Sequence, residues 1–110
     1  MKKEKIYISM DSMKPGREHY VRETEGYVFN VNGTKIGLIY RRPYWFATHY
    51  ESGVDCTPSS GEWTFQRKWK SKEALLKKIQ ELNFDFERIC QRTDIKACIK
   101  MVNDYKEKQS

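Results

Sequence analysis

The sequence predicts an α+β fold in which an antiparallel β-sheet of three to five strands, a meander built around an Asn32-Gly33 hairpin, precedes two or three C-terminal α-helices packed on one face. Three observations carry that prediction. Apolar and polar residues alternate on both sides of Asn32-Gly33, apolar residues recur at helical spacing from Leu75 onward, and turn formers collect between the two regions.

Ahead of the hairpin, residues 5–10 read as an additional strand and Lys14-Pro15-Gly16-Arg17 as a turn. The hairpin joins residues 27–31 to residues 34–40. Asn-Gly supplies the two positive-φ positions that a type I′ turn requires. Pairing Val31 with Thr34 then sets Phe29 opposite Ile36 and Tyr27 opposite Leu38 on one face.

A third strand over residues 44–50 follows the Arg41-Arg42-Pro43 corner. A two- or four-residue connection puts Trp45, Ala47 and His49 on the Phe29 face, whereas a three-residue connection puts Tyr44, Phe46 and Thr48 there. Proline is disfavoured at the third position of an ordinary tight turn. That counts against the two-residue connection and leaves the parity open.

Residues 51–62 hold Gly53, Pro58, Ser59, Ser60 and Gly61 and form the longest loop, with a fourth strand over residues 63–69 beyond it. Ser71 then has the chemistry of an N-cap, with Glu73 in the first turn and Leu75, Ile79 and Leu82 at helical spacing, which predicts a helix over residues 72–82. After a short turn of helix through Phe86 and Ile89, Thr93 caps a last helix striped by Ile95, Cys98, Ile99, Val102 and Tyr105.

All 110 residues fit one domain, with residues 1–4 and 107–110 expected to fray. Apolar residues at 38% against 33% charged favour a folded chain over a disordered one. No run reaches the ~20 apolar residues of a membrane span, and neither a signal peptide nor an anchor is expected. Cys56, Cys90 and Cys98 form an odd set without a C-x-x-C pair, which points to a reducing cytoplasm rather than to disulfides or a cysteine-built zinc site. His19 and His49 lie far apart and no glycine-rich phosphate loop precedes a helix, so no metal and no cofactor is expected.

The net charge of +6 points to an anionic partner, and its distribution is uneven. Between Trp63 and Gln80, six basic residues (Arg67, Lys68, Lys70, Lys72, Lys77, Lys78) face one acid, Glu73. The run Arg67-Lys68-Trp69-Lys70-Ser71-Lys72 spans a strand-to-helix junction, where backbone amides, the helix dipole and the Ser71 hydroxyl favour a phosphate backbone. The same run also reads as a solvated edge that discourages strand-to-strand aggregation.

Aromatic residues gather nearby: Tyr44, Trp45, Phe46, Tyr50, Trp63, Phe65 and Trp69, interleaved with Arg41, Arg42 and Arg67. If helices cover only one sheet face, two or three of these rings stay exposed, as a stacking platform for single-stranded nucleic acid or as a protein hot spot centred on Trp45 or Trp63. His49 and Ser52, with Asp55 and Cys56 close by, open the long loop as a further possible site. They match no hydrolase signature, and a histidine with hydroxyls that tie down a turn explains them equally well.

At Trp45-x-x-Thr48-His49-x-x-Ser52-Gly53, followed by the basic strand and the helix from Ser71, about a third of the chain resembles small proteins encoded by phages and other mobile elements. That resemblance implies action on host or rival nucleic-acid machinery, including anti-CRISPR or anti-restriction inhibition. The basic opening of the helix is also similar to the last helix of double-stranded-RNA-binding domains, although no helix precedes the hairpin here. The expected function is non-enzymatic binding of nucleic acid or of a nucleic-acid-binding protein complex. Arg67, Lys68, Lys70 and Lys72 would contact phosphates, with Trp69 and rings near Arg41 and Arg42 stacking on bases. The alternatives are a protein inhibitor or adaptor with an aromatic hot spot, and a small enzyme using His49.

Overall fold

The computed structural model of the protein describes residues 3–10, 20–61, 66–81 and 95–109. Four strands, β1 (Glu4–Met10), β2 (Tyr20–Val31), β3 (Thr34–Arg41) and β4 (Tyr44–His49), form one antiparallel sheet in the order β1-β2-β3-β4. Among the described residues two helices follow, α1 (Lys72–Glu81) and α2 (Ile95–Gln109). None of the described helices is long and apolar enough to cross a membrane. The Lys14-Pro15-Gly16-Arg17 turn, His19, Trp63, Phe65, the Phe86 and Ile89 turn, Cys90 and the Thr93 cap lie outside the described residues.

The central hairpin has the expected register. Asn32 and Gly33 take φ of 52° and 84°, and Val31 pairs with Thr34, Phe29 with Ile36 and Tyr27 with Leu38. At its far end β2 extends back to Tyr20, where the longer strand finds a partner in β1 through Ile6↔Thr24 and Ile8↔Arg22. β1 begins at Glu4 and α2 runs through Gln109.

The β3–β4 connection corrects the turn argument. Arg41 pairs with Tyr44, so Arg42 and Pro43 alone form the loop. Their peptide bond is cis, the one geometry in which proline belongs at the third turn position. Trp45, Ala47 and His49 therefore share the Phe29 face, and Tyr44, Phe46 and Thr48 take the other.

The expectation that one sheet face stays open is also corrected, because each face is covered by a different element. On the Phe29 face, Val31, Ile36, Leu38 and Ala47 form a core with Cys56 and with Leu75 and Ile79 of α1. Leu75 and Ile79 stack on one side of that helix as their spacing requires. On the opposite face, Ile6 and Ile8 of β1 meet Ile39. Close approach there depends on glycine: a Cβ at Gly26 would lie 2.4 Å from the Leu38 carbonyl oxygen, and one at Gly37 would lie 2.7 Å from Ile6 Cδ1.

The sheet is thus curled until its two edge strands nearly meet. Ser9 N donates to Gly53 O at 3.0 Å, just past the end of β4, and the Ser9 hydroxyl donates to the Ser52 carbonyl. Gly53 has a φ of 72°, and a Cβ there would sit 2.5 Å from Tyr7 O, so both its backbone and its neighbours demand glycine. α2 packs against β1 and β2, with Val102 buried and Tyr105 edge-on to Tyr7 at 5.7 Å.

No strand forms over residues 66–69, contrary to expectation. The long loop folds back along the outer edge of β4 instead, with His49 N donating to Val54 O at 2.9 Å and Cys56 N to Ala47 O at 2.9 Å. Only the start of β4 is left to pair, and Trp45 N takes it by donating to Trp69 O at 2.7 Å.

Candidate nucleic-acid interface

The two-residue β3–β4 turn aligns Tyr40 with Trp45 across the ladder, and Tyr27 lies on the same face through its pairing with Leu38. The ring centroids of Tyr40 and Trp45 are 5.1 Å apart and those of Tyr27 and Trp45 are 6.1 Å apart, with tilts of 47° and 40°. Leu75 and Ile79 seal this face further along, toward Ile36 and Ala47. Tyr40 therefore remains 51% exposed.

Lys72, the first residue of α1, lays its side chain onto these rings. Its Nζ stands 4.1 Å from the centroid of Tyr27 and 5.9 Å from that of Trp45. Such contacts contribute roughly 0.5–2 kcal/mol, more as water is excluded, and the Lys72 side chain is only 21% exposed. The ammonium is held against the ring cluster rather than projected freely.

The rest of the basic run divides. Arg67 is engaged by Asp55, whose other carboxylate oxygen accepts from the Thr57 hydroxyl at 2.6 Å. The expectation of a free phosphate contact at Arg67 is corrected: Asp55 neutralises it, out of reach of sequence reasoning because the loop folds back. Trp69 is corrected as a stacking surface, since it packs against the core and its indole N–H donates to Pro58 O at 2.8 Å. The Trp45–Trp69 bridge leaves Lys68 and Lys70 exposed on either side of Trp69 along the β4 edge.

Ser71 is the N-cap that the sequence predicts, its Oγ accepting from Ala74 N at 3.2 Å. As a donor to a ligand it is corrected, because its hydroxyl already donates to Glu73 Oε2 at 3.2 Å. Hydrogen bonds from its own backbone amide and from Ser71 hold the Glu73 carboxyl below its ordinary range. The start of α1 is thereby satisfied internally, and the Lys72 ammonium lies 4.0 Å from Glu73 Oε1.

Arg42 is exposed in the β3–β4 turn, close to the ring cluster. Arg41 is one residue out of phase with Tyr40 and faces the opposite side, where it lines a groove with Ile8, Phe46, Thr48 and Asp55. Trp63 lies outside the described residues. Tyr27 and Tyr40 are the rings that the sequence reading missed, although the hairpin register, continued two residues past Leu38, places both beside Trp45 once the turn length is known.

His49 and Ser52 form a separate, buried pair. His49 Nδ1 lies 2.7 Å from Ser52 Oγ, which also accepts from Val54 N at 3.2 Å. Burial pushes the imidazole pKa down, opposed by the nearby Glu51 carboxylate. Ser52 is wholly inaccessible, and the carboxylate of Asp55 is taken by Arg67 and Thr57. These groups fasten the turn that meets β1.

No protein-family model, curated protein or solved structure matches the chain. The functional reading rests on the geometry of these side chains.

Proposed function

We propose that the protein binds single-stranded nucleic acid on the Tyr27, Tyr40 and Trp45 surface, with Lys72 at its centre and Lys68, Lys70 and Arg42 following the phosphates around it. The observation that carries this reading is the pairing of an exposed Tyr40 with Trp45 beside a ring-bound ammonium. Aromatic faces with interspersed cations accept bases of any sequence, and each stacked base is worth about 1–3 kcal/mol. A net charge of +6 adds long-range attraction for a phosphate chain.

The inhibitory role implied by the resemblance to mobile-element proteins would use this same surface, by occupying either a nucleic acid or a nucleoprotein. A protein hot spot is the second reading, favoured by the placement of half-buried Trp45 between two other rings with charged groups at the rim. Fluorescence anisotropy with labelled single-stranded oligonucleotides tests the first reading. Affinity that falls with salt and with Tyr40→Ala supports it, and no binding at low salt rejects it.

A further inference from the structure

We infer that the cleft beside the ring cluster selects guanine, with Glu25 accepting from the N1–H and N2–H groups of the base and Lys3 donating to its O6. The inference deepens the single-strand reading and rests on it. The cleft has a volume of about 260 Å³ and is lined by Lys3, Glu25, Gly26, Tyr27, Tyr40 and Trp45. That is below the ~300 Å³ at which pockets for drug-sized ligands begin, and it suits one flat ring system. Three of its walls are aromatic. Its charged lining groups are one carboxylate, Glu25, and one ammonium, Lys3.

The chemistry of those two groups discriminates among bases. An ionised carboxylate only accepts, through two oxygens, and an ammonium only donates. Guanine alone presents two adjacent donors and a neighbouring acceptor on its Watson–Crick edge, which is the edge that proteins read on unstacked bases. Adenine and cytosine each set a ring-nitrogen acceptor next to their amino group, facing a carboxylate oxygen with a lone pair. Uracil and thymine flank their single donor with acceptors on both sides. A cationic ligand is disfavoured because Lys72 already brings an ammonium to the same rings.

Glycine at position 26 belongs to the same construction. It lines the cleft, and a Cβ there would meet Ile6 Cδ1 at 2.8 Å. Glu25 is exposed, and its replacement leaves the core intact.

The test uses the full chain and heptanucleotides of uridine carrying guanine, inosine or adenine at the central position, each as RNA and as DNA, with guanosine monophosphate as a separate arm. The guanine heptamer is expected to bind roughly tenfold tighter than the adenine one. Inosine, which lacks N2, should lose most of that preference, and Glu25→Gln should remove it while preserving binding that depends on Tyr40. Equal affinity for all heptamers, still weakened by Tyr40→Ala, overturns the guanine assignment and leaves the single-strand reading standing. Failure of every heptamer to bind overturns both. Guanosine monophosphate binding as tightly as the heptamer overturns the strand as the source and assigns the cleft to a free nucleotide.

Discussion

Tyr40 and Trp45 stand directly opposite each other in the β3–β4 ladder, with ring centroids 5.1 Å apart. One more residue in the connection would have turned Trp45 to the other face, away from both Tyr40 and Tyr27. The ring cluster therefore depends on the two-residue turn of Arg42 and Pro43.

Replacing Tyr40 by alanine is expected to weaken single-strand binding by about 1–3 kcal/mol, the value of one stacked base. Its ring is half exposed and lies outside the apolar core. Thermal unfolding followed by circular dichroism should consequently shift little, and anisotropy titrations of the same variant should show the loss.

Lys68→Ala and Lys70→Ala together are expected to reduce the slope of log affinity against log salt by about 1.4, at roughly 0.7 per phosphate released from a single strand. Arg67→Ala should leave that slope unchanged, because Asp55 already neutralises the guanidinium. Titrations over a series of salt concentrations separate the two kinds of basic residue.

Gly26→Ala is expected to destabilise the fold by about 1–3 kcal/mol, since its Cβ would meet the Leu38 carbonyl at 2.4 Å as well as Ile6. Gly37→Ala should cost less, because the atoms in its way belong to the Ile6 side chain, which can rotate. Urea denaturation of the two variants ranks them.

Stability should fall as pH drops below about 6.5, the ordinary value for histidine. His49 is held below that value by burial, so in this range the unfolded chain binds the proton more readily than the folded one. Its contribution is present above the unfolded pKa and fades as the pH decreases below it. Thermal melts of the wild type and His49→Gln between pH 5 and 8 should show a flatter profile for the variant.

The parts of this fold that were legible in sequence are those decided by neighbouring residues. Asn32-Gly33 dictated the hairpin and its register, and Ser71 with Glu73 marked the start of α1. The β3–β4 parity was not legible, because a cis or trans bond before Pro43 changes the loop length that proline tolerates. The neutralisation of Arg67 depends on a partner twelve residues away, brought near by a loop folding onto β4. Lys72 reads in sequence as one more phosphate contact of the basic run, yet the start of α1 brings it against Tyr27 and Trp45. For Arg67 and Lys72 the deciding contact is made between segments and has no signature within either.

Photocrosslinking with a single-stranded oligonucleotide carrying 5-bromouridine, read out by peptide mass spectrometry, tests the ring surface most directly. Adducts are expected on Tyr40 and Trp45, with Tyr20, which is equally exposed at 52%, serving as the internal control. Crosslinks confined to Tyr20, or spread equally over all three residues, would contradict the assignment of this surface.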